Sequence, residues 1–352
     1  MDNVKDITVS GDATVKDALK VMDKGGIGIV CVVKPDFELI GIVTDGDFRR
    51  AVLNEIALHE NVGAIVNKTF TYVRKGYTRE EILKCFNDTV FKQIPVLENR
   101  ILVDVITEEE CFGIKSKKRF PQIDCPVVIM AGGKGTRLDP FTRILPKALI
   151  PIGEKAMIEI IMDEYAKYGM KDFYISVNYK SKMIKAFFED RTSSGTIRYI
   201  HEEQPLGTAG ALKALQNEIT GTFFVSNCDV IIHDDYSKIY DFHKSSGCDI
   251  TLVASMQHHT IPYGVCEIEN GGRLRLIREK PEYDFLVNTG MYLLEPRTLD
   301  YIPANEFFHI TTLITKLAER GEKVAVYPVT ENAWIDTGEW GEYKKALEKL
   351  AF

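Results

Sequence analysis

PVVIMAGGKGTRLDPFTRILPKAL occupies residues 126–149. Its first five residues are a continuous apolar run, as expected of a strand buried on both faces of a parallel sheet. Three glycines follow at once, Gly132, Gly133 and Gly135. Without a Cβ, their backbone N–H groups can approach an anion closely. Arg137 adds a planar, permanently charged fork suited to phosphate oxygens. Lys147 adds a second, more mobile cation beyond a loop stiffened by Pro140 and Pro146. Cradle, clamp and reaching charge in that order suit a nucleoside triphosphate. The spacing matches neither GxxxxGK[ST] nor GxGxxG, so it is neither an ordinary P-loop nor a dinucleotide fingerprint.

Downstream, strand and helix patterns alternate. AMIEIIMDEYAKYG reads as a helix ending at Gly169, DFYISVNY as a strand, and SKMIKAFFED as a helix with Ser181 as N-cap. IRYIHEE reads as a strand, GTAGALKALQNEI as a helix entered through glycine, and TFFVSNCDV as a strand ending on a carboxylate. This alternation predicts a mostly parallel sheet with helices on both faces. Ligands in such sheets bind at the carboxyl ends of the strands. Charged residues gather at those predicted ends: Asp229 in VSNCD, Glu279 and Lys280 in LRLIREKP, Asp336 in WIDTGEW. Asp229 and Asp336 suit hard Mg²⁺ held against substrate phosphates. His258 and His259 read as surface-loop residues rather than metal ligands.

With 352 residues the chain has room for two domains. Its net charge of −7 gives a nucleic-acid partner no general electrostatic support. There is no basic-then-apolar leader of the secretory kind, and no apolar run approaches a membrane span. The seven cysteines are scattered, odd in number and form no CxxC pair. They read as free thiols of a reducing cytoplasm, not as a disulfide framework or zinc site.

The first third is an internal repeat. TVKDAL, from Thr14, matches TREEIL, from Thr78, and VCVV matches IPVL at the same offset; IVT matches VIT with one residue fewer between. Each copy reads as helix, strand, turn and strand. The turn of the first copy is KPDFE, with Pro35 and Asp36 at its centre. Residues 113–125 (GIKSKKRFPQIDC) are polar and basic, and read as a solvated linker carrying Lys115, Lys117, Lys118 and Arg119.

Residues 1–112 resemble a tandem pair of CBS domains, chiefly through GIVTDGD at residues 41–47. That likeness implies an α+β pair that senses a nucleotide, with Thr44 at its phosphate and Asp47 at its ribose. The second copy departs from the pattern, with Thr107 and Glu110 and no preceding glycine. The other reading of Thr44 and Asp47 is a strand-end helix cap in a pair that only dimerises or props its neighbour.

Residues 126–352 resemble the sugar-1-phosphate nucleotidyltransferases and their Rossmann-like fold. The loop matches their GGxGxRLxPxTxxxPKxL pattern, and PLGTAGAL, NCD, EKP, NTG and WIDTG follow in order. The resemblance implies that Ala131, Gly132, Gly133, Gly135, Thr136 and Arg137 hold the triphosphate, with Pro205, Gly207 and Thr208 near the nucleoside. It implies Mg²⁺ on Asp229 and Asp336, and phosphate binding by Lys147 and Lys280. Glu279, Asn288 and Thr289 would face the sugar. PLGTAGAL looks more like the guanylyltransferase branch than the uridylyl or thymidylyl branch, which implies GTP, with UTP, dTTP and CTP as alternatives. A CBS pair joined to this domain resembles the glucosamine-1-phosphate guanylyltransferases of bacterial legionaminic acid synthesis, with mannose- and heptose-1-phosphate enzymes nearest to them. CBS pairs commonly dimerise, which implies a homo-oligomer.

Overall fold

A computed structural model describes residues 2–88, 92–112, 120–189 and 195–349. The chain divides into two compact units, Met1–Arg119 and Phe120–Phe352.

The first unit is a repeat in structure as well as in sequence. Strand Ile29–Val33 pairs parallel with Thr8–Ser10 and antiparallel with Leu39–Thr44. Strand Gln93–Glu98 pairs parallel with Val73–Arg74 and antiparallel with Ile101–Thr107. The register slips at matching places, Val32/Val33 and Val96/Leu97. Helix Val15–Gly25 opens on a capping box of Thr14 and Asp17, and helix Arg79–Asp88 is entered through the same exchange between Thr78 and Glu81. Each box satisfies backbone N–H groups that a helix start leaves without intrahelical partners. The basic part of the expected linker, Lys115 to Arg119, lies outside the described residues.

The second unit is built on seven strands: β1 (Val127–Met130), β2 (Asp172–Val177), β3 (Thr196–His201), β4 (Phe223–Asn227), β5 (Ile250–Thr260), β6 (Glu282–Leu294) and β7 (Val324–Val329). Their order is β3-β2-β1-β4-β6-β5-β7. Of the seven only β6 runs against the rest. The mostly parallel α/β sheet expected from the alternation is therefore present.

The apolar run of β1 has a direct cause. Val127 and Ile129 face one core, shared with helices Met157–Lys167, Ser181–Glu189 and Tyr236–Ser246. Val128 and Met130 face a second core, shared with helix Ile310–Glu319. With helices on both faces, neither side of the strand can be polar.

Four sequence expectations change. Residues 120–125 belong to the second unit rather than to a linker: Ile123 and Cys125 are buried in its core, and the Cys125 thiol donates to the Thr222 carbonyl at 3.0 Å. The segment from Gly207 forms only a short 3-10 helix, Gly210–Leu215, because the Ala209 and Gly210 N–H groups both donate to the Phe308 carbonyl. His258 and His259 lie in β5 rather than in a loop; His258 Nδ1 meets Asp284 Oδ1 at 2.6 Å and His259 stacks on Phe285. The run from Thr222 to Val230 is two strands, and the break between them builds the site. Among the described residues no helix is long and apolar enough to cross a membrane. The seven cysteines are free, four of them buried.

Candidate active site

β1 ends at the glycine-rich loop, at the carboxyl end of the sheet. Gly135 has φ +67°, and a Cβ there would stand 2.9 Å from both Lys147 Cβ and Thr142 Cγ2. Glycine at this position lets the loop turn into the 3-10 helix Thr136–Leu138 and lets Lys147 lie directly beneath it. The opposite wall is the loop carrying Pro205, Gly207 and Thr208. Gly207 (φ +78°) lies against the Phe308 backbone, where a Cβ would come within 2.7 Å of its carbonyl oxygen. Thr208 accepts the Ile310 N–H at 2.9 Å and so fixes the start of helix Ile310–Glu319.

A pocket between these walls is lined by Gly132, Gly133, Gly135, Thr136, Arg137, Lys147, Pro205, Gly207, Thr208 and Asp229. Ten of the expected residues therefore share one cavity. Ala131 directly follows β1 and is buried, with its N–H on the Ser176 carbonyl.

The carboxylates arrive by a less obvious route. β4 stops at Asn227, and the chain turns at Cys228 and Asp229. Val230–Ile232 then pairs antiparallel with Trp334–Asp336, setting Val230 opposite Asp336. The Thr337 N–H and hydroxyl both donate to the Asp229 carbonyl at 2.9 Å, locking this crossing. Asp229 is buried, and the Lys147 ammonium is paired with its carboxylate. Burial pushes the Asp336 carboxyl above its ordinary range; the Gly338 N–H, donating at 2.7 Å, opposes that, and the negative Asp229 adds to it.

Gly338 sits where these groups converge. A Cβ on it would stand 2.5 Å from Asp229 Oδ2, 2.9 Å from Asp336 Oδ1 and 3.1 Å from Lys147 Nζ. Two hard carboxylate oxygens facing one point suit a divalent cation that takes its remaining ligands from phosphate and water. The ammonium of Lys147 supplies positive charge to the same spot. Among the described residues no group of three or more His, Cys, Asp or Glu side chains could hold a metal ion; a cation at this point would take two carboxylates from the chain.

The sugar-side residues are less closely gathered. Glu279 and Lys280 do not line the pocket. They follow the exposed hairpin of Val265–Ile268 and Leu274–Arg278, with Lys280 at φ +45°. Asn288 and Thr289 lie at a bulge, where Val253 pairs with Met291 but Ala254 pairs with Asn288. Thr289 is buried, and its hydroxyl donates to the Val253 carbonyl at 2.8 Å, so it shapes the bulge rather than facing a sugar. The bulge abuts the end of β4: at Gly290 (φ +93°) a Cβ would stand 2.5 Å from Asn227 Nδ2, and Asn227 lines the pocket.

Sequence reasoning missed Glu202, Gly338 and Glu339. Glu202 lines the pocket and is buried, accepting from the Ser176 hydroxyl and, at 3.0 Å, from the Leu206 N–H. Glu339 accepts from Arg137 Nη1 at 2.7 Å. A glycine and a glutamate directly after WIDT were the available signal.

In the first unit, Thr44 and Asp47 form the helix cap. Asp47 accepts the Thr44 N–H at 2.9 Å and also pairs with Arg50.

A mostly parallel sheet with a glycine-lined pocket and two carboxylates at its carboxyl end is the setting in which α/β proteins bind nucleotides. The chain belongs to the nucleotidyl transferase family, whose profile matches residues 126–351, and it carries a CBS domain matched over residues 3–54. A UTP–glucose-1-phosphate uridylyltransferase of Synechocystis is 30% identical over 241 residues, 62% of each chain. A mannose-1-phosphate guanyltransferase of Yarrowia lipolytica is 33% identical over 221 residues, 60% of each chain. The chain thus spans about three fifths of the length of these curated relatives. The crystal structure of HddC from Yersinia pseudotuberculosis superposes with a TM-score of 0.51 at 27% identity, covering 64% of this chain and 99% of that one. The same protein complexed with GMP-PN gives a TM-score of 0.50 at 26% identity, covering 64% of this chain and 99% of that one.

Proposed function

We propose that the protein transfers a nucleoside monophosphate from a nucleoside triphosphate to a sugar 1-phosphate, releasing pyrophosphate. The observation that carries this reading is the convergence of Asp229, Asp336 and Lys147 beside the glycine-lined pocket.

In this reading a sugar-1-phosphate oxygen attacks the α-phosphorus in line as pyrophosphate departs. The nucleophile is already an anion at neutral pH, so catalysis rests on positioning and charge neutralisation rather than on a strong base. The buried Glu202 suits no proton shuttle, since Ser176 and Leu206 already hold its oxygens. The Gly132–Gly135 backbone cradles the phosphates and Arg137 neutralises the leaving pyrophosphate. Mg²⁺ held by Asp229 and Asp336 would supply further neutralisation and alignment of phosphate oxygens. Lys147 then turns from Asp229 to a substrate phosphate. Lys280 reaches the phosphate of the sugar phosphate from the hairpin, and Glu279 and Asn288 face the sugar.

We read the nucleotide as GTP and the sugar as glucosamine 1-phosphate, in legionaminic acid synthesis. Support for guanine comes from PLGTAGAL and from the relatives named as guanyltransferases. The uridylyltransferase relative makes UTP the main competitor, with mannose and heptose 1-phosphates the competing sugars. We further read Thr44 and Asp47 as a regulatory nucleotide site, which requires Asp47 to exchange a present partner for a ribose. The protein is read as a cytoplasmic homo-oligomer, supported by its buried free thiols and by its duplicated first unit. Pyrophosphate release tests the proposal: four nucleoside triphosphates against glucosamine, N-acetylglucosamine, mannose and glucose 1-phosphates with Mg²⁺. A dominant signal for GTP with glucosamine 1-phosphate supports it in full. Another dominant pair keeps the reaction and discards the substrates. Silence with every pair, with and without added adenine and guanine nucleotides, overturns it in favour of a nucleotide-sensing regulator.

A further inference from the structure

We propose that Glu339 is a placeholder for the triphosphate: it holds the Arg137 guanidinium until the phosphates enter and then yields it. This rests on Arg137 being the phosphate clamp. Arg137 Nη1 lies 2.7 Å from Glu339 Oε1, with the two side chains 58% and 56% exposed. The pair is therefore cheap to open, since exposed ion pairs are worth at most about 1 kcal/mol.

The backbone around Glu339, by contrast, is pinned. The Trp340 indole N–H donates to the Asp139 carbonyl at 2.8 Å, and its ring packs on Phe141 with centroids 4.9 Å apart. The Glu339 carbonyl accepts the Tyr343 N–H at 2.8 Å, and the Tyr343 hydroxyl donates to the Pro151 carbonyl at 2.6 Å. A fixed backbone with an exposed side chain lets the carboxylate swing away while the loop keeps its shape.

The arrangement answers an electrostatic need. Arg137 feels two other carboxylates, Asp229 and Asp336. A guanidinium without a partner of its own would be drawn towards them and into the cation seat. Glu339 holds it at the loop instead. A triphosphate arriving at Arg137 meets the Glu339 charge and displaces it, and the same carboxylate is at hand to reclaim Arg137 as pyrophosphate leaves.

The test uses the full chain and its variants Glu339→Gln, Glu339→Ala, Arg137→Gln and Arg137→Gln with Glu339→Gln. Calorimetry measures binding of inorganic tripolyphosphate, and of GTP with Mg²⁺ but no sugar phosphate. Both Glu339 variants are expected to bind each ligand about three- to fivefold more tightly at low salt. The gain should shrink near ~0.5 M salt and vanish when Arg137 is also replaced. In turnover, KM for the nucleotide should fall by a similar factor without a rise in kcat. Equal or weaker tripolyphosphate binding, or a gain that persists without Arg137, overturns the proposal. Tighter Arg137-dependent tripolyphosphate binding in a protein that releases no pyrophosphate supports the placeholder while sinking the transferase reading.

Discussion

Gly338→Ala is the smallest change that tests the cation seat. No positive φ is required at residue 338, so alanine meets no backbone penalty there and the effect must come from space. The new Cβ would stand 2.5 Å from Asp229 Oδ2, where ordinary contact begins at 3.4 Å, so that oxygen must retreat by the difference, about 0.9 Å. Asp336 Oδ1, at 2.9 Å, must retreat by about 0.5 Å. Asp229 is buried and has little room to move. Overpacking of this kind costs roughly 1–3 kcal/mol, which a domain of this size survives. The catalytic penalty is larger, because a misplacement near 1 Å can cost about 10²-fold in rate. The expected result is a folded protein with kcat down about a hundredfold and a half-saturating Mg²⁺ concentration raised several-fold. Pyrophosphate release across a Mg²⁺ titration, beside a thermal melt, reads both. Turnover within twofold of wild type at the same Mg²⁺ requirement would refute the reasoning.

Three further outcomes are expected. Asp336→Asn should abolish turnover yet leave the melting temperature unchanged or raised at pH 7. The Asp336 carboxyl is raised in the folded state, so its stability contribution is full below the unfolded value and is lost as pH rises through the folded one. Wild type should therefore lose ground to the variant with rising pH through the range above the ordinary 3.8; a variant that melts several degrees lower would refute this sign. Lys147→Ala leaves the buried Asp229 carboxylate without its ammonium, which should cost about 3 kcal/mol in a denaturant melt; added Mg²⁺ should restore more stability to this variant than to wild type, and equal gains would count against the seat. Deleting residues 1–112 should keep pyrophosphate release and lower the oligomeric state in sedimentation, and an unchanged state would remove the first unit from assembly.

Much of the fold was legible because burial leaves a plain mark. The run in β1 is apolar throughout since its alternate residues enter two different cores. The repeat was legible as the match of TVKDAL with TREEIL, whose threonines open equivalent helices with the same capping exchange. What could not be read was where a strand changes partner. Residues 223–225 and 230–232 are apolar on either side of residues 226–229, and only the ribbon with Trp334–Asp336 shows that they are two strands. The segment from Gly207 carries a helical pattern, yet its N–H groups are taken by a distant carbonyl that no local spacing discloses. Gly338 stood in the WIDTG motif, but its role was not readable: that lies in the three side chains around it, and those come from separate parts of the chain.

The crossing of Val230–Ile232 with Trp334–Asp336 also sets an order of events during synthesis. A ribosome delivers the glycine loop, Lys147 and Asp229 early, whereas the wall at Gly207 and Thr208 waits for its supports at Phe308 and Ile310. Half of the cation seat is missing at that stage, because Asp336 has not yet been made. A nascent or prematurely ended chain thus lacks Asp336 and, on the proposed reading, cannot complete the alignment for transfer. Catalytic competence would switch on in one step, when the late strand docks beside the early one.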